Sequence, residues 1–182
     1  MRTQILSGIA VFALLSFPAL AQNAQPGTAN RSASRSANRL TSADQTFLHK
    51  AAQVNMYEIE LGKIAERSSN PAVRQFAQTM VTDHSKMQDQ VKSVAMDQGV
   101  TLPTKVSSTQ QATIDRLSKK SGAAFDKDYI DTMVKDHKTD ISEFENQANN
   151  ASDPAVKSLA EGALPTLHLH LTMAQNVQKK VG

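Results

Sequence analysis

Four ionisable residues sit where apolar ones are expected. Phe47, Ala51, Val54, Glu58, Leu61 and Ala65 recur at alternating four- and three-residue steps, the spacing of one helix face. Three more such seams follow. Val73, Ala77, Met80, His84, Met87, Val91 and Val94 form one. Ile130, Val134, His137, Ile141, Phe144 and Ala148 form another. The last is Val156, Ala160, Ala163, Leu167, His170, Ala174, Val177 and Val181. Each seam thus carries one polar member: Glu58, His84, His137 and His170. A buried polar group costs roughly 1–3 kcal/mol unless it is paired, so four of them ask for a common explanation. One answer is a metal site of Glu/His type, whose ligands suit zinc, iron or copper. Asp140, one turn after His137, is a further candidate carboxylate, and Met80, Met87, Met133 and Met173 offer thioethers that are also ordinary core filling. The other answer is a hydrogen-bonded polar layer that fixes helix register. In it, a neutral imidazole donates to Glu58 or to a carbonyl freed by Pro165.

The elements that position these residues can be read from their caps. A first helix is expected over about 42–67, opened by a Ser42/Gln45 capping box. A second covers about 71–98, with Asn70 as N-cap, Pro71 in the first turn and Gly99 as its stop. A short helix, capped by Ser108 and Gln111, lies inside the connection 99–122. Two more long helices cover about 123–149 and 154–180, and Pro165 is expected to kink the last. Tight turns join the first pair and the last pair. The long middle connection can span a ~40 Å bundle, so the fold class is all-α: a ferritin-like four-helix bundle of two hairpins with one long crossover. A simple up-down bundle is the alternative. From the rise per residue, the four polar seam residues fall in the middle half of the bundle, spread over about 11 Å along its axis.

The chain repeats itself in two ways. Residues 69–77 match 152–160, which makes one hairpin resemble the other. Thr79-Met80-Val81 followed by Asp83-His84 also matches Thr132-Met133-Val134 followed by Asp136-His137. Tyr57 and Tyr129 are expected near the bundle flanks, and His49 and His168 at the surface.

The ends carry different information. Arg2, the apolar stretch from Ile5 to Phe17, Pro18 and Ala19-Leu20-Ala21 form a secretory signal peptide with cleavage after Ala21. The apolar stretch is shorter than the ~20 residues that span a bilayer, so no transmembrane anchor is expected after processing. Residues 22–41 read as a disordered leader and 42–182 as the bundle domain. Of the 20 basic residues, Arg2, Arg31, Arg35 and Arg39 precede the domain, leaving sixteen against 17 acidic ones. A domain so balanced offers no basic face for nucleic acid. With no cysteine, disulfides, thiolate metal sites and thiol catalysis are excluded.

Several stretches, taken in order, resemble an exported bacterial family catalogued as domain of unknown function 4142. They are Glu58 to Ala65, Phe76 to His84, Leu102-Pro103, Ser121 to Tyr129, His137 and Leu164 to His170. The resemblance implies a ferritin-like bundle outside the cytoplasm and brings no assigned activity. The ferritin di-iron pattern needs Glu three residues before His on two helices. Here Val81 and Leu167 precede His84 and His170 at that distance, which argues against ferroxidase chemistry. No phosphate loop, His-Glu-x-x-His or nucleophile elbow is present, so an enzyme is not expected. The function expected is an exported bundle that binds metal or serves in envelope stress. The alternative is a non-catalytic scaffold with an envelope protein as partner.

Overall fold

In a computed structural model the described residues are 40–182; the signal segment and nearly all of the leader lie outside them. Five helices follow one another: α1 (Ser42–Ala65), α2 (Pro71–Asp97), α3 (Ser108–Ser118), α4 (Gly122–Asn150) and α5 (Pro154–Val181). Among the described residues there is no strand, and no helix is long and apolar enough to cross a membrane.

The caps follow from side chains with the right reach. Asn70 accepts from the Ala72 amide and Asp153 from those of Ala155 and Val156, each just before a proline that has no amide proton to satisfy. Two caps lie one residue earlier than the sequence suggested. Thr41 with Asp44, rather than Ser42 with Gln45, boxes the start of α1; Ser107 with Gln110, rather than Ser108 with Gln111, boxes α3. Both sites offer two consecutive hydroxyls and two consecutive partners, so local chemistry leaves the register open. Burial of the apolar residue ahead of the cap decides it: Leu40 is buried, and Val106 packs on the core. Leu40 and Thr41 therefore belong to the packed domain, not to the leader. At Gly99 and Gly122 the backbone takes φ of 67° and 59°, where glycine alone is unstrained. Helix α5 continues through Pro165.

Two apolar clusters show how the helices run. One joins the end of α1 (Leu61, Ala65) to the starts of α2 (Val73, Phe76) and α4 (Phe125, Tyr129) and the end of α5 (Ala174, Val177). The other joins the start of α1 (Phe47, Leu48) to the ends of α2 (Val91, Ala95) and α4 (Phe144, Ala148) and the start of α5 (Val156, Ala160). Helices α2 and α4 are therefore parallel, and the 98–121 connection crosses the length of the bundle. Each hairpin packs within itself, and the two meet through α2 on α5 and α1 on α4. That is the crossover bundle, not the simple up-down one. Within the crossover, α3 buries Ile114 and Leu117 against the first cluster and lies against α1 and α4.

One contact sets the spacing of α1 and α2. A Cβ at Gly62 would stand 2.7 Å from Val81 Cγ2 and 3.2 Å from the Ala77 carbonyl oxygen, so only glycine permits this approach. Gly62 lies one turn after Glu58, on the face turned to α2.

Candidate metal centre

Between the two apolar clusters lies a polar layer. Glu58, His84, His137 and His170 are all fully buried in it. The seams put them there, because aliphatic neighbours one turn away on each helix must face the core and carry the polar residue inward with them. His84, His137 and His170 each present one ring nitrogen such that the three atoms lie within 4.8 Å of one another. The axial spread of about 11 Å expected from the rise per residue is therefore not found among the three histidines. Glu58 stands beside this group, with Oε2 2.7 Å from His84 Nε2 and Oε1 3.4 Å from His137 Nδ1.

The other ring nitrogen of each histidine is held by a protein acceptor. His84 Nδ1 lies 2.9 Å from Asn55 Oδ1, His137 Nδ1 lies 3.0 Å from the Met133 carbonyl, and His170 Nε2 lies 3.1 Å from Asp83 Oδ2. An oxygen can only accept, so in the neutral rings these nitrogens carry the proton and donate it. The remaining nitrogens, His84 Nε2, His137 Nε2 and His170 Nδ1, then carry lone pairs. His137 Nε2 and His170 Nδ1 face each other at 3.4 Å, lone pair toward lone pair. That separation is about what two tetrahedral ligands show when each bond to a shared ion is ~2.0–2.1 Å. The 2.7 Å contact of His84 Nε2 with Glu58 is short, but its direction is not that of a hydrogen bond. His84 Nε2 and both Glu58 carboxylate oxygens are buried with no hydrogen-bond partner.

Burial strips protons from two of the imidazoles. It lowers His137 below the ordinary histidine value, and, with repulsion from His84, takes His170 down to about 4 against the pull of Asp83. Burial resists ionisation of Glu58 too, but the positive charge that His137, His84 or His170 carries when protonated pulls its carboxyl down, to about 2. With the rings neutral, three imidazole lone pairs face one buried space, and a cation held there would offset the charge of Glu58 beside it.

Four surrounding residues were not assigned to the site from the sequence: Asn55, Asp83, Asp136 and Tyr57. The repeated Asp-His pair in α2 and α4 was the available signal for two of them. Tyr57 and Tyr129 are buried rather than on the flanks, Tyr57 donating to Asp136 Oδ2 at 3.0 Å. Val54 and Val94, assigned to seams, are only half-buried, because Asn55 and Ala95 take the inward positions instead; Val181 is half-buried at the last residue of α5. His49 is exposed, as is His168, near Glu145.

Three solved structures share the fold. A DUF305 fragment from Deinococcus radiodurans superposes with a TM-score of 0.69 at 16% identity, covering 78% of this chain and 99% of that one. A candidate secreted DUF305 protein from Streptomyces coelicolor gives 0.65 at 17% identity, covering 78% and 94%. CopM, in its Cu(I)-bound form, gives 0.62 at 17% identity, covering 76% and 98%. At such identities the likeness shows the fold alone. No curated protein matches the chain. The ordered stretches from Glu58 to His170 lie within residues 29–177, which match the family described as "Domain of unknown function (DUF4142)", and to that family the chain belongs.

Proposed function

We propose that this bundle holds a transition-metal ion in its core, through His84, His137 and His170 with Glu58 as the charge-balancing carboxylate. One observation carries the reading. Each histidine has its outer nitrogen anchored to an acceptor and its inner nitrogen turned to a shared, buried space, the arrangement that orients imidazoles for a metal. Zinc, iron and copper all accept such ligands. Copper is favoured among them by the methionines. Met80, Met133 and Met173 each lie one turn from His84, His137 and His170, toward the same end of the bundle and in the same cluster. They put soft thioethers next to the imidazoles. CopM, with the same fold, is a Cu(I)-bound protein.

The protein is an exported one in this reading. The signals before Gln22 and the fold shared with a candidate secreted protein support that, and N-terminal sequencing should find mature material beginning at Gln22. Elemental analysis of the purified mature chain, followed by titration with Cu²⁺, tests the site: one ion per chain is expected. If metal is neither carried nor taken up, the metal reading fails. The buried layer is then a device for helix register, and the chain a scaffold for an envelope protein partner. The hydrogen bonds of Asn55, Met133 and Asp83 to the three rings would serve that role equally well.

A further inference from the structure

A site enclosed on all four sides needs a way in, and one face of the bundle differs from the rest. A groove of about 340 Å³ lies between α1, α3 and α4, and Asp136, Asp140 and Tyr57 line it with Thr113, Thr139 and Lys135. Asp136 and Asp140 stand one turn apart on α4, on the same side of the helix, with His137 between them. Asp140 is 6% exposed, and its Oδ2 is buried with no hydrogen-bond partner although the residue lines the groove. A buried carboxyl oxygen left without a donor is costly, and no cation among the described residues pairs with it. Lys135 is exposed at the rim. One helical turn, about 5.4 Å, separates Asp140 from the level of His137, whose ring touches Glu58. Burial, with the charges of Glu58 and Asp136, raises the Asp140 carboxyl to about 9, so the group lies within the field of the buried carboxylate.

The opposite face lacks these features. There Asp83 already accepts from His170, and Lys86 lies 3.5 Å from it, so its charge is committed on both sides.

We propose that Asp136 and Asp140 form a carboxylate transfer station, a transient site for a divalent transition-metal cation passing from the α1–α3–α4 groove to the ligands His84, His137 and His170, beside Glu58. The proposal rests on the metal reading above. The cation exchanges water for the Asp136 carboxylate at the groove, then displaces the proton that burial keeps on Asp140, which passes to solvent. It last exchanges carboxylate for imidazole in the core, Asp140 regains a proton, and the oxidation state does not change. Asp136 collects it, held in place by the Tyr57 hydroxyl. Asp140 carries it past the packed surface of α4.

A station on the path changes rates and leaves the equilibrium alone. The probe is Cu²⁺ supplied as its glycine complex, since copper binds N/O sites most tightly among the divalent ions. Uptake by the mature chain is followed in a stopped-flow instrument through quenching of tyrosine fluorescence, the chain having two tyrosines and no tryptophan. Asp140→Asn and Asp136→Asn should each slow loading by about tenfold at low salt, and slow release to a chelator by the same factor, so that Kd is unchanged. Lys135→Glu should speed loading severalfold, an effect that salt removes. A wild-type chain that takes up no copper overturns the buried site and the path with it. A chain that binds copper, but whose Asp140→Asn and Asp136→Asn variants load at the wild-type rate, overturns the path alone. So does a loss of affinity in either variant without slower loading, which would make that residue a ligand.

Discussion

The Asp-His pair of α2 and that of α4 end nearly the same six residues, yet they do different things. Because α2 and α4 are parallel at opposite corners of the bundle, the two turns face each other at one height. Asp83 reaches α5 and accepts from His170, while Asp136 reaches α1 and accepts from Tyr57. The hydrogen bond from His170 holds the Asp83 carboxyl below its ordinary value against its partial burial. Burial raises Asp136 to about 6 despite the Tyr57 hydroxyl. His84 is anchored by a side chain of another helix, Asn55; His137 is anchored by the carbonyl of its own helix, four residues back. The same short sequence thus supplies a ligand support on one side and a groove lining on the other. The neighbouring helix, not the segment itself, decides which.

The sharpest way to break this comparison is to remove the ligands on the second hairpin. His137→Ala with His170→Ala should abolish stabilisation by copper, which in the wild type should reach about 4 kcal/mol at a free-ion concentration 1,000 times Kd. Thermal melts with and without Cu²⁺ would show it, and a metal-dependent shift surviving in the double variant would refute the assignment.

Acid should act next most strongly. In the metal-free protein His170 has its folded value lowered to about 4 from 6.5. The unfolded chain therefore takes up the proton first, and stability present above pH 6.5 is lost as the pH falls toward 4. The loss is on the order of 3 kcal/mol from this group, with His137 shifted in the same direction. Urea titrations across pH 4 to 7 should show this slope, and His170→Gln should flatten it.

The two aspartates can be separated directly. Asp83→Asn should weaken copper binding by roughly 10–100-fold, because it removes the acceptor that orients His170. Asp136→Asn should leave Kd unchanged. Equal losses of affinity in both variants would erase the distinction between the two turns.

The smallest effect has the opposite sign. The Asp140 carboxyl, raised by burial, favours folding only while it stays protonated; relative to an unfolded value of 3.8, stability is lost as the pH rises from 3.8 through about 9. Asp140→Asn in the metal-free protein should therefore stabilise at pH 7 by about 1–2 kcal/mol. Denaturant midpoints give the check, and a destabilised variant would contradict the burial argument.

The helices, their turns and the crossover were legible because periodicity and caps are local signals. The burial of Glu58, His84, His137 and His170 was legible for the same reason: five to seven apolar residues on each seam outvote one polar residue. The directions of Asp83, Asp136 and Asp140 were not. They sit at seam edges, where a rotation of a few tens of degrees moves a side chain from solvent into a neighbouring helix. Only the packing of hairpin on hairpin sets that rotation. Likewise Thr41 could not be told from Ser42 as a cap until Leu40 had a core to enter.

The crossover has a consequence for how the chain assembles. Glu58 and His84 come from the first hairpin, His137 and His170 from the second, so neither hairpin alone holds more than half of the constellation. Each hairpin closes through a short turn and depends on nearby contacts, whereas the polar layer must wait for the distant partner. Closing the long link costs only slowly more with its length, so the link restrains the search without dictating its outcome. A chain cut between residues 99 and 107 would become two separate strands of polypeptide. Their reassociation would then be second order in concentration, and an ion shared by both would act as the clasp between them.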